Sequence, residues 1–202
     1  MHVLPLLFAL VFCLVSQAGA ETPETEKSEV TPVVFEPETP DIQWRTQNDT
    51  VMGGVSQSRF EMTEEGVFVF TGNVSLENNG GFASVRARLV EPELEGATAF
   101  RLRVRGDGQK YELRFRVKGD WSWVSYRHDF ETEKDEWVEV ELPVEEFEAG
   151  WRGRSVPEAP AFDPAGAFEI GIMISDKQEG PFELEVDWIG AVKGRESSAS
   201  GE

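Results

Sequence analysis

An all-β fold, an antiparallel β-sandwich, is the class this sequence predicts, and three observations point to it. From residue 66 to residue 192, apolar and polar side chains alternate with a period of two, the spacing of strands with one buried face. Clusters of Gly, Asp, Asn and Pro interrupt the alternation at short intervals, as turns between strands require. Helical spacing is almost absent, so the helices that a doubly wound parallel sheet needs between its strands are missing.

The strands follow in order. "GVFVFTG" at 66–72 and "FASVRARL" at 82–89 are the first two. In "AFRLRVRGDGQKYELRFRV" the apolar set Phe100, Leu102, Val104, then Tyr111, Leu113, Phe115 and Val117, alternates with charges. The intervening "GDGQ" is a turn signal, so the segment predicts a long antiparallel hairpin. "SWVSYRHDF", "EWVEVELPV", "FEIGIMIS" and "FELEVDWIGAV" supply four more strands, for about eight in all. "PVEEFEAGW" predicts one short helical turn, and no internal repeat is present.

The ends read differently. Residues 1–20 form an apolar run closing on Ala18-Gly19-Ala20, the pattern of a secretory signal peptide, which predicts export to a periplasmic or extracellular space. Residues 21–40, rich in Glu, Thr and Pro, predict a disordered acidic linker; residues 41–193 are the β-sandwich domain, and 194–202 a disordered tail. Cleavage after Ala20 would remove Cys13, the single cysteine, which excludes thiol catalysis and zinc–thiolate sites. A net charge of −19 argues against nucleic acid and anionic lipid as partners. The mature chain is expected to be a monomer without membrane insertion.

Two glycine blocks draw attention. In "NDTVMGGVSQS" (48–58) and "ENNGGF" (77–82), paired glycines sit among short polar side chains. One reading is a turn at a strand entry, with Asn and Asp bonding nearby backbone. The other is a binding loop that presents backbone N–H groups, amides and adaptable apolar contacts. On that reading the partner-binding candidates are Asn48, Asp49, Met52, Gly53, Gly54, Ser56, Asn79, Gly80, Gly81 and Phe82.

Alternation also places Arg101, Arg103 and Arg105 on one face of a strand, with Arg114 and Arg116 on the matching face of the next. Either these form a basic sheet face for an acidic partner, with guanidinium forks gripping carboxylates, or they pair across strands with Glu112, Glu139 and Glu141. Each such pair is worth only about 0.2–1 kcal/mol. Trp121 and Trp123, two residues apart, offer an alternative platform for a sugar ring. "RGD" at 105–107 is read as turn chemistry.

Catalysis finds little support. His128 is the only histidine beyond residue 20, no G-x-S-x-G elbow occurs, and no strand-then-helix G-x-G-x-x-G is present. No cofactor and no metal site are expected, and the chain is not expected to be an enzyme.

The chain resembles the complex I intermediate-associated family, named after a mitochondrial assembly factor for NADH:ubiquinone oxidoreductase. The resemblance spans about residues 42–193 and rests on the blocks Trp44 to Ser56, Phe70 to Arg86, Arg105 to Tyr111, Trp151 to Arg154, Asp176 to Phe182 and Asp187 to Ile189. It implies a galactose-binding-like jelly roll and an assembly chaperone rather than a catalyst. Together these readings predict an exported, non-catalytic protein-binding module, an assembly factor or chaperone for an extracytoplasmic complex, with an unidentified protein client. The alternative is a carbohydrate-binding module that takes a glycan on its tryptophans.

Overall fold

In the computed structural model the described residues are 30–32, 42–90 and 92–193. The signal peptide and tail expected at 1–20 and 194–202, and most of the linker, lie outside them. The strands are β1 (Val30–Pro32), β2 (Trp44–Thr46), β3 (Gln57–Met62), β4 (Phe68–Val74), β5 (Ala83–Arg88), β6 (Ala97–Gly106) and β7 (Lys110–Val117). They continue as β8 (Ser125–Glu131), β9 (Trp137–Pro143), β10 (Glu148–Trp151), β11 (Arg154–Ser155), β12 (Ala167–Ile174) and β13 (Gly180–Lys193). Among the described residues the only helical pieces are short 3-10 turns, so the all-β expectation holds.

Two antiparallel sheets make the sandwich. One runs β3-β4-β13-β6-β9, with β1 against the far half of β13; the other runs β11-β10-β8-β7-β12-β5-β2. Every second residue of the central strands faces inward, and those residues are the apolar ones: Phe100, Leu102 and Val104 of β6 meet Leu113, Phe115 and Val117 of β7. Rings lock the layers together, with Phe100 and Phe115 at 4.4 Å and Phe115 and Phe162 at 5.3 Å between centroids.

That contact corrects the expected hairpin. β6 pairs with β13 and β9, and β7 with β12 and β8, so the two strands belong to opposite sheets. Alternation is the same in either arrangement, because both strands bury one apolar face. The "GDGQ" turn is a corner between sheets, and Asp107 ties it. Its carboxylate accepts from Gln109 N (3.1 Å), the Tyr111 hydroxyl (3.1 Å) and Glu183 N (3.0 Å). Burial first, and then Asp107, push the Tyr111 hydroxyl far above its usual range, so it stays a donor.

The helical turn expected in "PVEEFEAGW" is a single 3-10 turn, Val144–Glu146, and the rest of that segment is β10. The strand expected in "SWVSYRHDF" starts only at Ser125; Trp121 and Trp123 lie in the preceding turn. Strands β2 and β3 escaped the alternation because they are short or at an edge; β3 sends Phe60 inward to stack on Phe68 at 5.7 Å.

Candidate functional site

The two glycine blocks meet on Asp49. The loop 47–56 joins β2 to β3 and the loop 75–82 joins β4 to β5, and both arrive at the same corner. Asp49 is fully buried there. Its Oδ1 accepts from Ser56 N at 3.0 Å, and its Oδ2 from the Ser56 hydroxyl at 2.5 Å, Gly81 N at 2.7 Å and Phe82 N at 3.3 Å. Desolvation pushes the carboxyl up, but these bonds, led by the Ser56 hydroxyl, outweigh it and hold Asp49 below its ordinary value of 3.8. The glycines make room: a Cβ on Gly54 would lie 2.4 Å from the Asp49 carboxylate carbon, and one on Gly80 2.6 Å from Oδ2. Asn48 extends the knot, accepting from the Ser58 hydroxyl at 2.7 Å and Ser84 N at 3.3 Å.

This corrects the direct-contact role expected of Asp49, Gly54 and Ser56, which are buried and spent on the fold. Asn48 is half-buried with its carbonyl occupied. What the knot presents outward is Met52, 59 % exposed, with Val51, Gly53 and Asn79 also exposed and Gly80, Gly81 and Phe82 half-covered.

Most of these groups line one side of a groove of about 660 Å³ over the outer face of the seven-stranded sheet. Val51, Met52, Gly80, Gly81 and Phe82 stand on the β5 side, Trp123, Trp151 and Arg152 on the β10 side, and Arg86, Arg114, Arg116 and Arg127 on the floor. The flat platform offered by Trp121 and Trp123 as a pair does not form. Trp121 packs on the core and tilts 31° from Trp123, while Trp123 meets Trp151 edge-on at 88° and 5.8 Å. Arg152 lies over the Trp151 ring at 4.6 Å.

The expected basic sheet face is divided between the two sheets. Arg114 and Arg116 face the groove. Arg101, Arg103 and Arg105 lie on β6, in the other sheet, and are matched there by carboxylates. Arg101 bonds Glu141 at 2.5 Å, Arg103 pairs with Asp187, and Arg105 bonds Glu185 at 2.6 Å. Trp137 stacks beneath Arg103 and Arg105. The misplaced corner is the reason for the division: a hairpin would have merged these faces.

Sequence reasoning did not single out Arg86, Arg127, Trp151, Met173 or Ser175. Their signal was the same alternation, which places residues 84, 86 and 88, then 112, 114 and 116, on one face, but only the strand order joins them. Chemically the groove offers guanidinium donors, indole edges and Met52, with Ser175 bonded to Glu112 at 2.7 Å. Among the described residues no three His, Cys, Asp or Glu converge as metal ligands.

The model of the Complex I intermediate-associated protein 30 (CIA30) family matches residues 33–186. The chain belongs to the CIA30 family. A mitochondrial protein of Caenorhabditis elegans described as a probable complex I intermediate-associated protein 30 is 27% identical over 156 residues, covering 68% of this chain and 46% of that protein. The mouse complex I intermediate-associated protein 30, also mitochondrial, is 26% identical over 172 residues, covering 73% of this chain and 51% of that protein. The CIA30 chain described here thus spans about half the length of the curated relatives it matches.

These relatives correct the expectation of export. They are mitochondrial proteins, so the periplasmic or extracellular assignment drawn from the apolar residues 1–20 is withdrawn. The apolar run and the small residues Ala18-Gly19-Ala20 carry no address that the domain itself confirms.

Among solved structures, the family 11 carbohydrate-binding module of the Clostridium thermocellum cellulase Lic26A-Cel5E superposes with a TM-score of 0.62. It is 10% identical and covers 85% of this chain and 98% of its own. The same module in complex with a β-1,3-1,4-mixed-linked tetrasaccharide gives 0.60 at 12% identity, covering 83% and 98%. The shared fold is the jelly roll.

Proposed function

We propose that this CIA30-family domain is a non-catalytic binding module that serves complex I assembly by holding a client protein in the groove over its seven-stranded sheet. The observation that carries the reading is convergence. Asp49 spends itself on fixing two loops, and the product is a rigid wall that presents Met52 and Val51 toward Trp123 and Trp151 across a floor of arginines. Exposed large apolar side chains rimmed by polar groups mark interaction surfaces, and Trp, Met and Arg are the residue types enriched in protein interfaces. Family membership supports a client among complex I intermediates.

The test is native electrophoresis of respiratory-complex assembly intermediates from cells that express the full chain or a Met52→Ala/Trp151→Ala variant. Co-migration with an intermediate by the first and its loss in the second is the expected result. Equal co-migration of both would remove the groove from the reading. A glycan reading has one observation in its favour, the exposed indoles Trp123 and Trp151 beside polar side chains. Their edge-on geometry offers no flat double platform, which favours the protein client.

A further inference from the structure

We infer that the groove floor is a carboxylate clamp for an extended acidic segment of the client, built from Arg86, Arg114 and Arg127. This rests on the reading of the groove as a protein-binding surface and names the chemistry it selects.

The first argument is register. Arg45 stands opposite Arg86, Arg86 opposite Gly171, Gly171 opposite Arg114, and Arg114 opposite Arg127. One row across the sheet therefore carries four guanidinium side chains and a glycine. Like charges directly opposite one another in a sheet oppose folding. The neighbouring rows are mixed: Glu169 lies between Arg88 and Arg116, and Glu112 faces Asp129.

The second argument is that the available carboxylates do not neutralise the row. Glu169 is shared by Arg45 at 2.5 Å, Arg86 at 3.4 Å and Arg116 at 3.6 Å. Asp176 and Asp129 are taken by Lys110, at 2.5 and 3.0 Å. Glu148 stands opposite Arg127, yet among the described residues the Arg127 guanidinium makes no ion pair or hydrogen bond. Arg114 reaches only the Met173 sulfur, with the Glu112 carboxylate at 3.7 Å. Burial lowers the proton affinity of Arg114 first; Glu112 opposes that, and Arg86 and Arg127 add to it. An incoming carboxylate relieves this repulsion.

The third argument concerns unmet hydrogen bonds. Glu112 Oε2 and Arg114 Nε, on side chains 6% and 15% exposed, face each other at 3.7 Å, an ion pair too long for a hydrogen bond, and neither atom has a hydrogen-bond partner. Native proteins rarely leave such atoms empty. The Arg114 guanidinium thus lacks a carboxylate at hydrogen-bond distance, which an acidic side chain in the groove supplies. Charge supports the same occupant: in a chain of net charge −19, an acidic segment is repelled elsewhere and drawn to this row.

The experiment titrates the full chain with the acetylated, amidated hexapeptide Glu-Val-Glu-Phe-Glu-Val and its all-Gln counterpart, read by tryptophan fluorescence and calorimetry at low salt. Neutral mixed-linked β-glucan tetrasaccharide is the third probe. The Glu peptide is expected to bind, with the Gln peptide weaker by about tenfold or more, the worth of one charge-assisted bond. Arg127→Gln is expected to weaken the Glu peptide about tenfold while its Tm holds or rises, because a repulsive neighbour is gone. A structural role would instead lower Tm and leave binding alone. No binding of the Glu peptide, equal binding of both peptides, or saccharide binding in their place overturns the clamp. If the clamp fails while Met52→Ala/Trp151→Ala still abolishes co-migration, the groove remains the client site. If co-migration survives that variant too, both readings fall.

Discussion

Replacing Asp49 by Asn keeps the side chain's size but removes the charge on which the Ser56, Gly81 and Phe82 donors converge. Hydrogen bonds to a buried charge are worth about 1.5–3 kcal/mol each, and partners left unmatched add cost. Denaturant unfolding of Asp49→Asn is therefore expected to show a loss of about 2–4 kcal/mol. The sign of its pH dependence follows from the carboxyl lying lower in the fold than its ordinary 3.8. The unfolded chain takes up the proton first, so this stability is complete well above pH 3.8 and is lost as pH falls through the folded value. A thermal scan against pH is expected to show that acid-side decline in the native chain and its reduction in Asp49→Asn. Gly54→Ala forces a methyl against the same carboxylate, and a loss of about 1–3 kcal/mol is expected from overpacking. At this scale the sequence revealed that the two blocks were special. It did not reveal that they share one carboxylate, since loop contacts across 32 residues leave no periodic trace.

The strands were legible where one face is buried and much less so at the edges. Period-two alternation located β4, β5, β6, β7, β9, β12 and β13 to within a few residues, because each buries every second side chain. It could not order them. The step from β6 to β7 reads as a hairpin, yet Asp107 and Tyr111 turn it into a corner, and that corner decides which arginines share a face. Asp107→Ala is expected to cost about 1–3 kcal/mol, since Tyr111 and Glu183 N lose a charged acceptor. The outer arginines of β6 behave differently. Arg103 and Asp187 are partly exposed, so a double-mutant cycle on that pair is expected to return about 0.2–1 kcal/mol, falling with salt. One face of the molecule thus holds matched charges, while the other holds an unmatched row.

Across the whole molecule, a knot of buried polar bonds fixes a wall, the sheet supplies a floor, and the indoles close the far side. The family gives this arrangement a context: CIA30 membership rests on residues 33–186, which contain the knot, the floor and both indoles. Fold likeness to carbohydrate-binding modules at 10–12% identity shows the jelly roll and leaves the ligand to the side chains. Those side chains are guanidinium groups, a methionine and crossed indoles. The most direct measurement places a photoreactive benzophenone side chain at position 52, on the groove rim, and separately at position 139, on β9 of the opposite sheet, in cells assembling complex I. The account expects crosslinks to a complex I subunit from position 52 and none from position 139. Crosslinks from 139 alone, or equally from both, would contradict it.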